Sequence, residues 1–222
     1  MYDLNKAYTQ KFFDKRNTMT WRTPYVVQAI INVLQPGNVI DFGCGNGDLI
    51  NEFLTQGVDS YGIEGTPNSL PAIKEMGIAI DGDDLLSPEN RVIIRDLREP
   101  IGNFYDPNKP PPTSVATGKG FDLALCFEVA EHIEEKYVDA FINNLSYASD
   151  RVLITAAPPG QRGHHHVNCQ TQGWWMGKFI KHGYRYGVDE VMRVRMQWKQ
   201  TGKANKTGIK LYYKNLLYFY KG

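Results

Sequence analysis

Two glutamates and a histidine stand close together where an apolar run gives way to a helical pattern, in the stretch CFEVAEHIEE. Glu128, Glu131 and His132 are spaced i, i+3 and i+4, so on the first turn of a helix their side chains would share one face. Such a set can transfer a proton or bind a divalent ion. Acidic residues also favour helix N-termini, and a histidine there can simply cap or pack, so a structural role stays open.

A second group of candidate ligands, His164, His165 and His166, lies in the stretch GQRGHHHVNCQTQGWW. It follows the fifth predicted strand, which we expect to lie beside the fourth, so these histidines should reach the crevice that Glu131 borders. Carboxylate oxygens and neutral imidazoles form a mixed set that can hold a divalent ion with positions left for substrate oxygens. The alternative is a polar surface loop in which one or two imidazoles form hydrogen bonds.

The composition favours a single α/β domain. The chain has 222 residues, 42% of them hydrophobic and 22% charged, and a formal net charge of +1, which gives no overall attraction to nucleic acid or to an anionic membrane. No apolar run approaches the length of a membrane span, and the charged N-terminus does not resemble a secretion signal. Cys44, Cys126 and Cys169 are odd in number and far apart, which predicts buried thiols and a cytoplasmic protein.

Apolar strand patterns alternate with helical patterns along the chain. The first helical segment runs from about Asp3 to Leu34 with a break near Thr23–Pro24, and its aromatic face is expected to cover the sheet edge or the cofactor. The strands are predicted in NVIDFG, SYGIEG, RVIIRD, FDLALCF, RVLITAAP, YRYGV and NLLYFYKG, and a long proline-rich surface loop in 99–120. This alternation predicts an α/β fold with a doubly wound, mostly parallel sheet, whose ligands bind at the carboxyl ends of the strands.

The turn DFGCGNGD contains glycines between a strand and a helix, where the backbone can approach a ligand. An isolated pattern of this kind is often only a tight turn, but Glu64 follows about twenty residues later, where a carboxylate can accept both ribose hydroxyls. Asp96 ends the third predicted strand, within reach of an adenine amino group. Asp48 replaces the third glycine of a dinucleotide motif and, with Asp41, would oppose a diphosphate. S-adenosylmethionine, which is cationic and has no phosphate, fits these acids better.

The segments VIDFGCGNGDL, YGIEG, IRDLREP, FDLALCFEVAEHI and RVLITAAPPG resemble, in order and spacing, the motifs of class I S-adenosylmethionine-dependent methyltransferases. The resemblance covers about 39–158 and implies a Rossmann-like seven-stranded sheet with helices on both faces and the last strand antiparallel. It implies a helical cap segment over 1–37 and a methyltransferase domain over 38–222. The cofactor-binding residues that it implies are Asp41, Gly43, Gly45, Asn46, Glu64, Asp96, Leu97 and Phe127.

The ExxEH pattern with a later histidine resembles ubiquinone-pathway O-methyltransferases and small-RNA terminal 2′-O-methyltransferases. By that resemblance Glu128, Glu131, His132 and His165 would bind a divalent metal, magnesium or manganese, and His132 and His166 would be catalytic, with His166 as the general base. The leading interpretation is O-methylation of a small-molecule hydroxyl, on a sugar or a phenol. The alternatives are methylation of a terminal RNA ribose, and a catalytically silent fold that serves as a binding partner.

Basic residues surround a tryptophan in RVRMQWKQTGKANKTGIK, a composition that can bind RNA. A solvated helix followed by a loop has the same composition, and the small net charge of the chain favours that interpretation. The expected partner is therefore a small-molecule substrate and not a membrane, and a nucleic acid stays the less favoured alternative.

Overall fold

The computed structural model describes residues 2–80, 86–87, 89–101, 120–206 and 208–222. Within these ranges the strands form one seven-stranded sheet in the order β3-β2-β1-β4-β5-β7-β6. The strands are β1 (Asn38–Phe42), β2 (Asp59–Glu64), β3 (Val92–Ile94), β4 (Leu123–Phe127), β5 (Arg151–Thr155), β6 (Arg185–Tyr186) and β7 (Leu216–Tyr220).

The first five strands run parallel, and β7 is antiparallel to both of its neighbours, β5 and β6. The predicted mostly parallel sheet with an antiparallel last strand is therefore confirmed. β1 lies between β2 and β4, so the direction in which successive strands are added reverses there. The crevice of a doubly wound sheet opens at this switch point, beyond the carboxyl ends of β1 and β4.

Helices cover both faces of the sheet. They are α1 (Leu4–Ala7), α2 (Gln10–Arg16), α3 (Thr23–Leu34), α4 (Asp48–Thr55), α5 (Leu70–Glu75), α6 (Val138–Ala148), α7 (Gln172–Lys181), α8 (Val188–Gln200) and α9 (Ile209–Asn215). Because side chains alternate along a strand, each strand contributes to two apolar cores. Ile40 and Cys126 belong to the core with α6 and α7, whereas Val39 and Leu125 belong to the core with α3, α4 and α8.

The N-terminal segment differs from the single broken helix that its pattern predicts. The two short helices α1 and α2 are followed by a 3₁₀ turn, Asn17–Arg22, and α3 begins at Thr23. Pro24 lies in the first turn of α3, where its missing N–H removes no helical hydrogen bond. Pro24 therefore starts a helix instead of breaking one. The buried face of α3, with Val26 and Ile30, packs into the domain core, and the boundary after residue 37 stays a prediction.

The chain after β4 also differs from the expected helix. Glu128 has a φ of +57°, and a 3₁₀ turn, Ala130–His132, follows it, whereas α6 begins only at Val138. The prediction that Glu128, Glu131 and His132 share the first turn of one helix is therefore wrong. The Glu128 N–H donates to Thr155 Oγ1 of β5 at 2.8 Å, which fixes this irregular turn to the sheet.

The proline-rich loop predicted for 99–120 lies mostly outside the described residues. Among the described helices, none combines the length and the apolar character that crossing a bilayer requires.

Candidate active site

The glycine turn after β1 lies close to the segment that follows β4. Gly43 has a φ of +78°, and a Cβ atom on it would lie 2.5 Å from Val129 Cγ2, so both the backbone conformation and the space favour glycine. The N–H of Gly45 donates to Glu64 Oε2 at 2.9 Å, and the N–H of Gly65 donates to Oε1 at 2.8 Å. These bonds fix the Glu64 carboxylate at the end of β2, where it is 8% exposed.

A cavity of about 660 Å³, counted with its open mouth, lies over this turn and has the size of a small-molecule site. Its N-terminal wall is aromatic, and Asn46 Nδ2 donates to the Phe13 carbonyl at 3.0 Å and so ties that wall to the glycine turn. Burial raises the pKa of the Tyr8 phenol well above its ordinary value, so Tyr8 stays a neutral hydroxyl. The lining includes Gly43, Gly45, Glu64, Asp96, Leu97, Phe127, Glu128 and His132 from the predicted site, and Tyr2, Leu4, Tyr8, Phe12 and Phe13 from the N-terminal segment.

Asp96 is held by Arg98, a residue that the sequence analysis did not single out. The Arg98 guanidinium donates to both Asp96 oxygens, at 2.7 Å for the shortest contact, and also lies 3.4 Å from Glu134. Its carbon Cζ lies 4.6 Å from the centre of the Tyr2 ring. Burial alone would lower the pKa of Arg98, but the two carboxylates raise it above its ordinary value. Arg98 therefore stays charged and joins the N-terminal segment to the Asp96 side of the cavity.

A second cavity, of about 440 Å³, opens on the other side of the glycine turn. Asp41, 3% exposed, and Asp48 line it together with Arg22, whose guanidinium stacks on Tyr212 at 4.6 Å. Opposite charges in one small cavity suit a ligand group that carries both an ammonium and a carboxylate. The sequence analysis missed Arg22, which stands nearly twenty residues before the glycine turn and outside any motif.

Glu131, His132 and His166 each bring one ligand atom into a cluster in which these atoms lie within 4.8 Å of one another. The Glu131 side chain is fully buried, and its Oε1 lies 3.8 Å from His166 Nε2. A backbone carbonyl lies 3.0 Å from each imidazole Nδ1, from His165 for His132 and from Gln161 for His166. Because a carbonyl only accepts hydrogen bonds, Nδ1 carries the proton in both rings, and Nε2 of the neutral ring has the lone pair.

Two of the predicted metal ligands lie outside this cluster. The exposed ring of His165 stacks on Tyr2, with the ring centres 5.4 Å apart. Glu128 lines the larger cavity, and its Oε2 accepts a hydrogen bond from Gln161 Nε2 at 3.4 Å. Among the described residues, the histidine that lies beside Glu131 and His132 is therefore His166, which the sequence analysis assigned as a base. His165, which it assigned as a metal ligand, lies apart from them.

The N-terminal segment packs directly on the histidine loop. The Tyr2 hydroxyl donates to the His132 carbonyl at 3.1 Å, and His164 Nε2 lies 2.6 Å from the Ala7 carbonyl. The Tyr8 ring makes an edge contact with the His132 ring, with the centres 5.8 Å apart. One wall of the cavity therefore carries contacts both to the glycine turn and to the histidines.

Residues 21–193 match the family model described as a methyltransferase domain. The match spans most of the chain, so this protein belongs to the methyltransferase domain family. It is an S-adenosylmethionine-dependent methyltransferase of class I, as the motifs predict. No curated protein matches its sequence.

Solved structures with the same fold are distant in sequence. Magnesium protoporphyrin IX methyltransferase from Synechocystis PCC 6803, solved with bound S-adenosylmethionine, is 16% identical, with a TM-score of 0.56 over 99% of this chain and 89% of that chain. A TehB-like S-adenosylmethionine-dependent methyltransferase from Corynebacterium glutamicum is 17% identical, with a TM-score of 0.55 over 89% and 88%. The plantazolicin methyltransferase BpumL, in complex with a triazolic desmethylPZN analogue and S-adenosylhomocysteine, is 15% identical, with a TM-score of 0.57 over 95% and 88%.

Proposed function

We propose that this methyltransferase transfers the methyl group of S-adenosylmethionine to a hydroxyl oxygen of a small molecule, a sugar or a phenol, assisted by a divalent ion. The observation that carries the proposal is the cluster of Glu131, His132 and His166 at the edge of the larger cavity, which His132 also lines. The protein is proposed to act in the cytoplasm, where its cysteines, which form no disulfide among the described residues, would stay reduced.

The charges around the two cavities fit S-adenosylmethionine. When bound, this cofactor supplies a methyl group that is already activated on a sulfonium. Glu64 would accept hydrogen bonds from the ribose hydroxyls, and Asp96 with Leu97 would border the adenine. Asp41 and Arg22 match the ammonium and the carboxylate of the methionine end. A diphosphate in the same place would be repelled by the Asp41 carboxylate. This repulsion argues against a dinucleotide cofactor.

The cluster also fits a divalent ion, magnesium or manganese. His166 Nε2 carries a lone pair when the ring is neutral, and it faces the buried Glu131 carboxylate at 3.8 Å, so two electron-rich groups oppose each other. Glu131, His132 and His166 would hold the cation, and the carbonyl bonds at Nδ1 orient the rings as in many metal sites. When bound, such an ion lowers the pKa of a hydroxyl that it coordinates.

The side chains around the cluster would orient the acceptor and exclude water. The aromatic N-terminal wall covers the cavity, and Tyr8 contributes a neutral hydroxyl beside His132. Without an ion, His166 Nε2 is the basic group that can accept the hydroxyl proton, with Glu131 stabilising the imidazolium that forms. Either way the attacking oxygen is expected near His132, at the edge of the cofactor cavity.

Calorimetry with manganese and magnesium on the chelator-treated protein tests the ion. Glu131→Gln and His166→Gln should each weaken ion binding by about 10–100-fold, whereas His165→Gln, a matched change in the same loop, should bind like the wild type. An absence of ion binding by the wild type, together with methylation that a chelator does not change, would remove the ion from the proposal.

Methyl transfer itself is tested with labelled cofactor against separate pools of phenols, sugars, amines and thiols. Product in the hydroxyl pools, with no product from amines and thiols, is the expected result. Transfer only to nitrogen or sulfur would contradict the O-methylation. A failure to bind S-adenosylhomocysteine at all would support a silent binding protein instead.

A further inference from the structure

The basic charge of this protein is concentrated at the C-terminal end of the chain. Residues 185–222 contain nine lysines and arginines but only two acidic residues, a net charge of +7 in a chain whose total is +1. The remaining residues therefore carry a net charge of −6. This uneven distribution of charge produces a positive electrostatic potential near the C-terminal residues, although the total charge of the chain is small.

The fold gathers part of this charge beside two aromatic rings, the exposed Trp21 and the half-buried Tyr25. Lys203 Nζ lies 6.0 Å from the centre of the Tyr25 ring, and Lys206 Nζ lies 5.8 Å from the centre of the Trp21 ring. Trp21 is 39% exposed, so its ring is accessible to a ligand. Lys199, at the end of α8, borders a cavity of about 420 Å³ whose lining contains no acidic residue among those described. We call the set Trp21, Tyr25, Lys199, Lys203 and Lys206 the basic aromatic surface.

The lysines of this surface are not neutralised by the protein. Lys199, Lys203 and Lys206 have no carboxylate within 4.0 Å in the described part of the chain, and the same holds for Lys210 and Lys214 on α9. Two lysines elsewhere do form such pairs, Lys6 with Asp3 at 3.7 Å and Lys178 with Asp139 at 3.5 Å. Five cations without an internal counter-charge are an electrostatic site for a partner with repeated negative charge.

The basic aromatic surface also adjoins the active site. Arg22 follows Trp21 directly and lines the cavity that contains Asp41 and the glycine turn, and its guanidinium stacks on Tyr212 of α9. A polymer bound across the surface would therefore pass close to the opening at the methionine end of the cofactor site.

We propose that the basic aromatic surface binds single-stranded nucleic acid. Phosphates would pair with the lysines, and bases would stack on Trp21 and Tyr25, an arrangement that tolerates any sequence. The aromatic rings between the cations favour this partner over an anionic membrane, which needs an apolar stripe and not isolated stacking platforms. The surface is separate from the Glu131 cluster, so this inference does not depend on which acceptor is methylated.

Fluorescence anisotropy with a labelled single-stranded uridine oligomer of about 20 nucleotides, measured from about 50 to about 200 mM salt, tests the proposal. Three phosphate contacts, one for each lysine of the basic aromatic surface, predict a slope of about −2.1 for log affinity against log salt, or roughly a 20-fold loss across that range. Lys203→Gln combined with Lys206→Gln should reduce the magnitude of the slope by about 1.4. Trp21→Leu should weaken binding about fivefold or more while leaving the slope unchanged.

The matched control combines Lys74→Gln with Lys181→Gln, which removes the same charge from exposed positions on α5 and α7. It should leave both the affinity and the slope of the wild type unchanged. Every variant is also titrated with S-adenosylhomocysteine, so that a folding defect, or a failure of the methyltransferase assignment, is seen separately. Undetectable binding at the lowest salt concentration, an equal effect of the control, or binding only to vesicles containing phosphatidylserine would overturn the proposal.

Discussion

A single methyl group added at Gly163 should disable the proposed ion site of Glu131, His132 and His166, called the ion cluster below. A Cβ atom on Gly163 would lie 1.9 Å from His166 Nε2, 2.3 Å from Cε1 and 2.5 Å from Cδ2. All three atoms belong to one rigid ring, so rotating a chain end cannot relieve the overlap. To reach an ordinary carbon contact, the ring must withdraw by roughly 1.6 Å. That displacement also breaks the bond from His166 Nδ1 to the Gln161 carbonyl, now 3.0 Å long.

The magnitude follows from losing one oriented ligand. Disturbing the orientation of a metal-binding histidine typically weakens metal binding about 10–100-fold, or about 1.4–2.7 kcal/mol. We therefore expect Gly163→Ala to weaken manganese binding by that factor, the same factor as we expect for His166→Gln. The affinity for S-adenosylhomocysteine should not change, because the glycine turn and Glu64 are not in contact with Gly163 among the described residues.

The matched control is Gly177→Ala in α7, where an added Cβ meets no atom within 4 Å. It should stabilise the helix by about 1 kcal/mol and leave ion binding unchanged. Calorimetry gives both affinities, and the thermal midpoint of each variant reports on folding. Wild-type manganese affinity in folded Gly163→Ala would refute the assignment of His166 to the ion cluster. Equal losses of manganese and S-adenosylhomocysteine affinity would refute the separation of the two sites.

Three further expectations follow from the cofactor cavities and the thiols. Glu64→Ala should weaken S-adenosylhomocysteine binding by about 1–3 kcal/mol in calorimetry, and wild-type affinity would show that the ribose lies elsewhere. Arg22→Gln should weaken S-adenosylhomocysteine binding but not 5′-methylthioadenosine binding, since only the former has a carboxylate; equal losses would contradict that role. Because burial raises the pKa of Cys44 and Cys126 well above the ordinary thiol value, only Cys169 should react with iodoacetamide near pH 8. Its own pKa is raised by burial and by the Glu131 carboxylate, so its rate, followed by mass spectrometry, should still increase above pH 9.

The sheet could be predicted because its central strands are buried on both faces. Such strands appear as short continuous apolar runs, as LALCF does in β4, and helical patterns separate them. Asp41 stands out for the same reason, since a charge inside such a run needs a partner. The helix α9 escaped prediction because Ile209–Asn215 is only seven residues long, too short to show a helical period.

The site was predictable where residues follow strands and less so where the backbone is irregular. Glu64 directly ends β2, so its position follows from the strand pattern. Three successive histidines carry no spacing that tells which of them faces inward. The structure separates them by a left-handed residue, since His165 has a φ of +50° and its ring turns to Tyr2 while His166 turns to Glu131. A single residue with a left-handed backbone conformation leaves no periodic pattern in the sequence, so it cannot be predicted from one.

The N-terminal segment links the two halves of the proposed chemistry. Tyr8 lines the cofactor cavity and also contacts the ring of His132, whereas Tyr2 bonds to the His132 carbonyl. A cofactor bound against Tyr8 would therefore order the same side chain that contacts the His132 ring. Binding of the cofactor therefore changes the free energy of ordering the proposed ion site, and binding of the ion changes the free energy of ordering the cofactor cavity. Because such coupling is reciprocal, the ion should tighten the cofactor by the same factor by which the cofactor tightens the ion.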